Sequence, residues 1–279
     1  MKHLKVERRK GQQEKPEELL TFGGHLEVLR RMLFRILGVA GVFAVIVFCF
    51  KDATWQILLA PSEWDFVTYR GIEQAALALG LDFRFEEYHV DLIATELSSQ
   101  FMTHVSTACY LGLLAASPYV LVELFRFVTP ALYDNERRYS VQVTIIVYML
   151  FLLGILMSYY VLFPVSFRFL GTYSVATRIH STITLDSYVS TFTVLTLMMG
   201  AVFQLPVVAF FLAKLGLVTA EMLSRYRKHA LLVIMIVAAV ITPPDLMTLL
   251  LVSLPLWLLY LVSIGIARMV EKRRPKEDE

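Results

Sequence analysis

The side chains able to do chemistry are few, and most are carboxylates or amides set beside long apolar runs. Glu136 stands directly before Arg137 and Arg138 and ten residues after Arg126. At a membrane surface such a carboxylate can receive an arginine from a partner in a two-pronged bond; on residue type alone it can equally pair with its neighbours or face solvent. Glu27, beside Arg30 and Arg31, poses the same choice nearer the start of the chain. Gln204 lies in Phe203-Gln204-Leu205-Pro206, deep in an apolar run, where Pro206 frees backbone carbonyls and an amide seeks a hydrogen-bond partner, on its own chain or on another helix. Asp245 closes Thr242-Pro243-Pro244-Asp245, where its carboxylate can accept from the first N–H groups of the following helix. His104 falls early in an apolar run, and a hydrogen bond to a neighbour is the expected use of its ring. Cys49 and Cys109 also lie in apolar runs, fit no metal or disulfide spacing and read as small packing residues. Metalloprotease His pairs, a nucleophile elbow, a glycine-rich phosphate loop and Cys pairs are all missing from the sequence, which names no catalytic residue, metal or cofactor.

The elements that position these residues follow from composition. Of 279 residues, 57% are apolar and only 18% charged, more apolar sequence than one soluble core can bury. That excludes a soluble enzyme and a disordered chain. A bilayer core about 30 Å thick needs roughly 20 apolar residues of helix, and six runs qualify or nearly qualify. They cover residues 32–50, 101–122, 141–163, 189–213, 230–241 and 246–267, the fifth being short. Alternate connecting stretches carry 21 Lys and Arg on one side and 5 on the other, which places both termini in the cytoplasm by the positive-inside rule. The first outer loop, residues 51–100, holds nine acidic residues and room for short helices, around Ile72–Leu79 for example, that cap the bundle. Phe22, Leu26, Leu29 and Leu33 recur at helical spacing, predicting an interfacial helix on the inner surface that runs into the first span. Pro255 predicts a kink in the sixth. Residues 1–15 and 271–279 read as cytoplasmic tails around a single membrane domain, residues 16–270.

Taken in order, these residues resemble the TatC family, the multispanning core of the twin-arginine protein translocase. The resemblance rests on His25-Leu26 with Leu29-Arg30, Ala60-Pro61, Ser117-Pro118, Pro130-Ala131-Leu132-Tyr133 followed by Glu136-Arg137-Arg138, Phe163-Pro164, Phe203-Gln204-Leu205-Pro206 and Thr242-Pro243-Pro244-Asp245. Two positions depart from the family pattern. Val28 stands where the family's His-Leu-x-Glu-Leu-Arg has glutamate, with Glu27 one place earlier, and Gln204 stands where many relatives carry glutamate.

The resemblance implies an all-α, polytopic membrane protein: six transmembrane helices with both termini inside, a glove-like concave bundle, a periplasmic cap, and short fifth and sixth helices. It implies a receptor in the bacterial cytoplasmic membrane that binds twin-arginine signal peptides of folded precursors. Such a receptor assembles with TatA- and TatB-type single-span proteins in an oligomeric complex and works on the protonmotive force, without nucleic acid or cofactor. Signal-peptide contacts would fall on Glu136, Glu27, Arg30, Phe127, Leu132 and Arg137, and partner-helix contacts on Phe203, Gln204 and Pro206. The outer turn of Pro243, Pro244 and Asp245 would be joined by Pro61. The alternative from another class, a small-solute secondary transporter, predicts intramembrane charges or an internal repeat, and the sequence has neither.

Overall fold

The computed structural model describes residues 22–128, 137–174 and 182–273. Long apolar segments form helices here because a bilayer offers no water to an unpaired backbone group, and a helix pairs its own. The chain runs α1 (Phe22–Cys49), α2 (Lys51–Leu59), α3 (Val67–Ala78), β1 (Leu92–Ile93), α4 (Ser99–Ala115), α5 (Ser117–Val128), α6 (Arg137–Met157), α7 (Phe163–Thr172) and β2 (Ile183–Thr184). It continues through α8 (Leu185–Val202), α9 (Leu205–Leu215), α10 (Ala220–Arg225) and α11 (Arg227–Ile241) to α12 (Leu246–Arg273). A π-helical turn over Ser158–Leu162 joins α6 to α7.

Among the described residues, four helical stretches are long and apolar enough to cross a membrane: Leu26–Cys49, Gln142–Thr172, Leu185–Leu215 and Leu246–Lys272. A fifth is the pair α4 and α5, bent by 56° at Ala116, immediately before Ser117-Pro118. Proline lacks an N–H and crowds the preceding turn, so the run read as one span over residues 101–122 is broken here. The 15 residues of α11 span about 22 Å, short of a typical bilayer, as its run predicts.

The sixth helix is not short. With 28 residues, α12 is as long as α1, because its helix continues past the apolar run into Arg268–Arg273 and passes through Pro255 without ending. The predicted interfacial segment is likewise the first turns of α1 itself: no proline interrupts Phe22–Cys49, so the stripe and the span form one helix. Met32 and Ile36 of α1 are buried on the protein, while Leu26, Leu29 and Leu33 are exposed.

Close backbone approach sets the packing. A Cβ on Gly112 would stand 2.5 Å from the Ala44 nitrogen of α1, and one on Gly154 would stand 2.6 Å from the Met199 carbonyl oxygen of α8. Small residues at helix crossings let backbones meet where lipid gives no hydrophobic push between helices. Beside the second crossing, the Ser158 and Thr196 hydroxyls pair at 3.1 Å in full burial. The main core lies toward the α2 and α7 end, where Leu58, Leu162, Phe163, Tyr188, Leu195, Met199, Val252 and Leu256 pack together. Phe163 meets Tyr188 and Phe192 edge to face, at 5.1 and 5.0 Å. Cys49 and Cys109, read as packing residues, are instead exposed on the outside of the bundle.

Candidate functional site

The bundle has two ends of different character. The cap end carries α2, α3 and the joined strands β1 and β2, which pair in parallel, Leu92 with Ile183. The predicted capping helix is therefore present as α3. Here tyrosine hydroxyls reach backbone carbonyls across long stretches of sequence: Tyr188 donates to Leu58 at 2.8 Å, Tyr159 to Ile57 at 2.8 Å and Tyr69 to Pro164 at 2.8 Å. Thr68 donates to the Tyr160 carbonyl. The guanidinium of Arg168 lies over the rings of Phe85, Tyr88 and Tyr69 at 4.4, 4.5 and 5.1 Å, and donates to the Glu86 carbonyl at 2.7 Å. Burial, reinforced by the hydrogen bond with Tyr88, pushes the Tyr69 phenol well above its ordinary value and keeps it a donor. Pro61 is buried against this cluster, its carbonyl 3.5 Å from the Tyr69 hydroxyl.

At the turn between α11 and α12, Asp245 does what its position predicts: its Oδ1 accepts from the Thr248 N–H at 2.7 Å, capping α12. Its Oδ2 is buried with no hydrogen-bond partner among the described residues. His104 departs from expectation. Its ring stacks on Phe48 of α1 with centroids 4.3 Å apart and lies beside Trp55 of α2, and its Nε2 has no hydrogen-bond partner among the described residues.

The opposite, terminal end holds the start of α1, the end of α5, the start of α6, α10 and the end of α12. Glu27 and Arg31 pair at 2.5 Å one turn apart, both largely exposed, and Arg30 lies 5.6 Å over the ring of Phe34. Phe127 is half-buried near the end of α5. Arg137 is the first residue of α6, while Leu132 and Glu136 lie outside the described residues, in the connection from α5 to α6. One acidic residue not singled out in the sequence appears here. Glu123 of α5 is 7% exposed, accepts from the Tyr119 hydroxyl at 3.0 Å and lies 3.7 Å from Arg35 of α1. Its signal was present: Tyr119, Glu123 and Phe127 recur every four residues and share one helix face.

Midway along the bundle the chain turns at Phe203-Gln204, between α8 and α9. The Gln204 Nε2 donates to the Val147 carbonyl of α6 at 3.0 Å, and its buried Oε1 has no hydrogen-bond partner among the described residues. Phe203 and Pro206 line an open apolar groove of about 520 Å³ between α6, α9 and α12, with Ile146, Leu150, Leu259 and Ile266 on its walls. No group of three or more potential metal-ligating side chains occurs among the described residues.

The profile of the Sec-independent protein translocase protein (TatC) family matches residues 24–255. The chain belongs to the TatC family. It is 32% identical to the Sec-independent protein translocase protein TatC of Blattabacterium sp. subsp. Periplaneta americana, covering 91% of this chain and 97% of that protein. It is 34% identical to TatC of Desulforapulum autotrophicum, covering 94% and 90%. The crystal structure of a twin-arginine translocase receptor, TatC, superposes with a TM-score of 0.70 at 27% identity, over 88% of this chain and 99% of that one. Like its family the chain is a multi-pass membrane protein and a translocase component rather than an enzyme. Of the TatC-like motif residues, the structure sets Glu27, Arg30, Phe127 and Arg137 at one end, Pro61 in the cap, and Phe203, Gln204 and Pro206 at the break between α8 and α9.

Proposed function

We propose that this chain is the receptor and scaffold subunit of a twin-arginine protein translocase, with six membrane crossings and both termini in the cytoplasm. In this reading it resides in the bacterial cytoplasmic membrane, where the terminal end binds the twin-arginine signal peptide of a folded precursor. Glu136 takes an arginine in a charge-assisted bond, flanked by Arg137, with Glu27 and Arg30 at the rim and Phe127 and Leu132 offering apolar contact. TatA- and TatB-type single-span helices pack at Phe203, Gln204 and Pro206, and the protonmotive force drives export of the precursor. The observation that carries the reading is the TatC family match over residues 24–255, which contains the whole α5–α6 connection with its Glu136. The apolar groove beside Gln204 supports the partner-helix site, since an open apolar face at membrane depth accommodates a helix without desolvation cost.

The test is crosslinking of a twin-arginine signal peptide to the membrane-inserted protein. Glu136→Gln should abolish the crosslink while leaving insertion and folding intact; an undiminished crosslink rejects the assignment. A cysteine at position 204 should crosslink to the transmembrane helix of a TatA-type partner, and its failure to do so rejects the partner site.

A further inference from the structure

We propose that the cap end carries a binding site for one anionic phospholipid of the leaflet beside it, built by Lys51, Trp55, Gln100 and His104. The site is an open pocket of about 460 Å³ lined by these four residues, with Phe101 and Leu185 among its apolar walls. Its place in the fold sets its depth. The crossing stretch of α1 ends at Cys49, that of α4 and α5 begins at Ser99, and that of α8 begins at Leu185, so the pocket lies where three crossings leave the hydrocarbon. At that level a membrane presents phosphodiesters to the protein, with ester carbonyls just below them and acyl chains below those.

The lining divides along the same axis. Lys51, the first residue of α2, is exposed and makes no ion pair among the described residues, whereas Arg70 and Arg84 of the cap pair with Asp65 and Asp82. Its ammonium is a compact charge suited to a phosphate oxygen, and the Gln100 amide in the same pocket adds a neutral donor. Trp55 sets an indole at headgroup level, the ordinary place for that ring in a membrane protein. His104 follows Gln100 by one turn on the same face of α4, about 6 Å deeper. Stacking on Phe48 fixes its ring plane and uses neither nitrogen, and Nε2 has no hydrogen-bond partner among the described residues. A neutral imidazole always carries one N–H, and a lipid ester carbonyl is the acceptor that the protein does not supply there. Phe101, exposed on the outside of α4, continues the apolar wall toward the acyl chains. Free phosphate would use the cation alone, whereas a phospholipid carries phosphate, ester and chain in the order that the pocket receives them. Among the described residues no acidic side chain lines the pocket, so an amine-bearing headgroup finds no counter-charge and an anionic one is preferred.

The detergent-purified full chain is titrated with phosphatidylglycerol and with phosphatidylethanolamine, and bound lipid is counted by native mass spectrometry. One phosphatidylglycerol should bind in preference to phosphatidylethanolamine, and soluble glycerol 3-phosphate should not displace it. Lys51→Gln should weaken phosphatidylglycerol roughly tenfold and remove the preference, because it takes away a charge-assisted bond. His104→Phe keeps a ring to stack on Phe48 and deletes the donor, so it should weaken both lipids severalfold and leave the preference intact. Arg84→Gln takes the same charge from the cap at a residue that does not line the pocket, and should change neither affinity. Equal losses in Lys51→Gln and Arg84→Gln would mean general attraction between a basic surface and an anionic lipid. Displacement by glycerol 3-phosphate would mean a phosphate site, and an unchanged affinity in Lys51→Gln or in His104→Phe would put the lipid elsewhere. Each of these results overturns the proposal. Should His104→Phe fail to fold, the contrast between the exposed Lys51 and Arg84 decides alone.

Discussion

The cap end and the terminal end share one helix bundle yet are held by opposite means. At the cap, each hydroxyl of Tyr69, Tyr159 and Tyr188 is spent on a backbone carbonyl 95 to 130 residues away in sequence, and the Arg168 guanidinium lies over three aromatic rings. A polar group so placed cannot turn to a ligand without leaving a buried carbonyl unpaired, which costs about 1–3 kcal/mol. At the terminal end Glu27, Arg31 and Arg35 are exposed, and the buried Glu123 is held by one hydroxyl and a distant guanidinium. Long-range hydroxyl bonds tie the cap together, although the buried Arg168 Nη1 and Ser166 Oγ have no hydrogen-bond partner among the described residues, whereas the terminal end keeps its charges at the surface. The π-turn at Ser158 and the break at Gln204 lie between the two, where irregular backbone meets buried polar side chains.

This contrast can be broken at three levels. The largest effect is expected where both ends depend on one contact. Gly154→Leu drives a side chain into the Met199 carbonyl, which is backbone and cannot yield, so it should destabilise the bundle by about 3 kcal/mol or more and abolish a folded, monodisperse species in detergent. Tyr188→Phe removes only the hydroxyl that serves the Leu58 carbonyl. It should lower stability by about 1–2 kcal/mol, read as a fall in Tm, yet leave signal-peptide affinity unchanged. A loss of affinity matching the loss of stability would mean that the ends are not separable. The smallest effect is expected at Glu27, whose exposed pair with Arg31 is worth little. Glu27→Gln should leave Tm unaltered and shift peptide affinity less than twofold. A larger shift would make Glu27 a principal contact of the terminal end rather than a residue of its rim.

Much of the site is legible in sequence where the signal is local. Asp245 caps α12 because a carboxylate three residues before a free N–H is a local arrangement. The brevity of α11 likewise follows from its own short apolar run. Glu123 was legible only as a residue on the same face of α5 as Tyr119 and Phe127; its burial was not, because that depends on α1 lying across α5, eighty-eight residues from Arg35 in sequence. Gln204 was legible as an amide needing a partner, but not which one. Val147 provides it because the crossing at Gly154 brings α6 against α8, just before α9 begins. The length of α12 escaped the hydropathy reading because a helix needs only paired backbone, whereas the apolar run marks only the part in hydrocarbon.

The sequence by itself determined the class of the molecule: too much apolar chain for a soluble core, runs matched to a bilayer, basic residues gathered on alternate connections, and an ordered set of TatC motifs. Those properties are sums over the chain or patterns within a few turns, so they need no fold to be read. Only the tertiary structure decided which polar groups are consumed and which remain available. Whether a hydroxyl, an amide or a carboxylate is satisfied depends on the carbonyls and guanidinium groups that distant helices bring within about 3 Å of it.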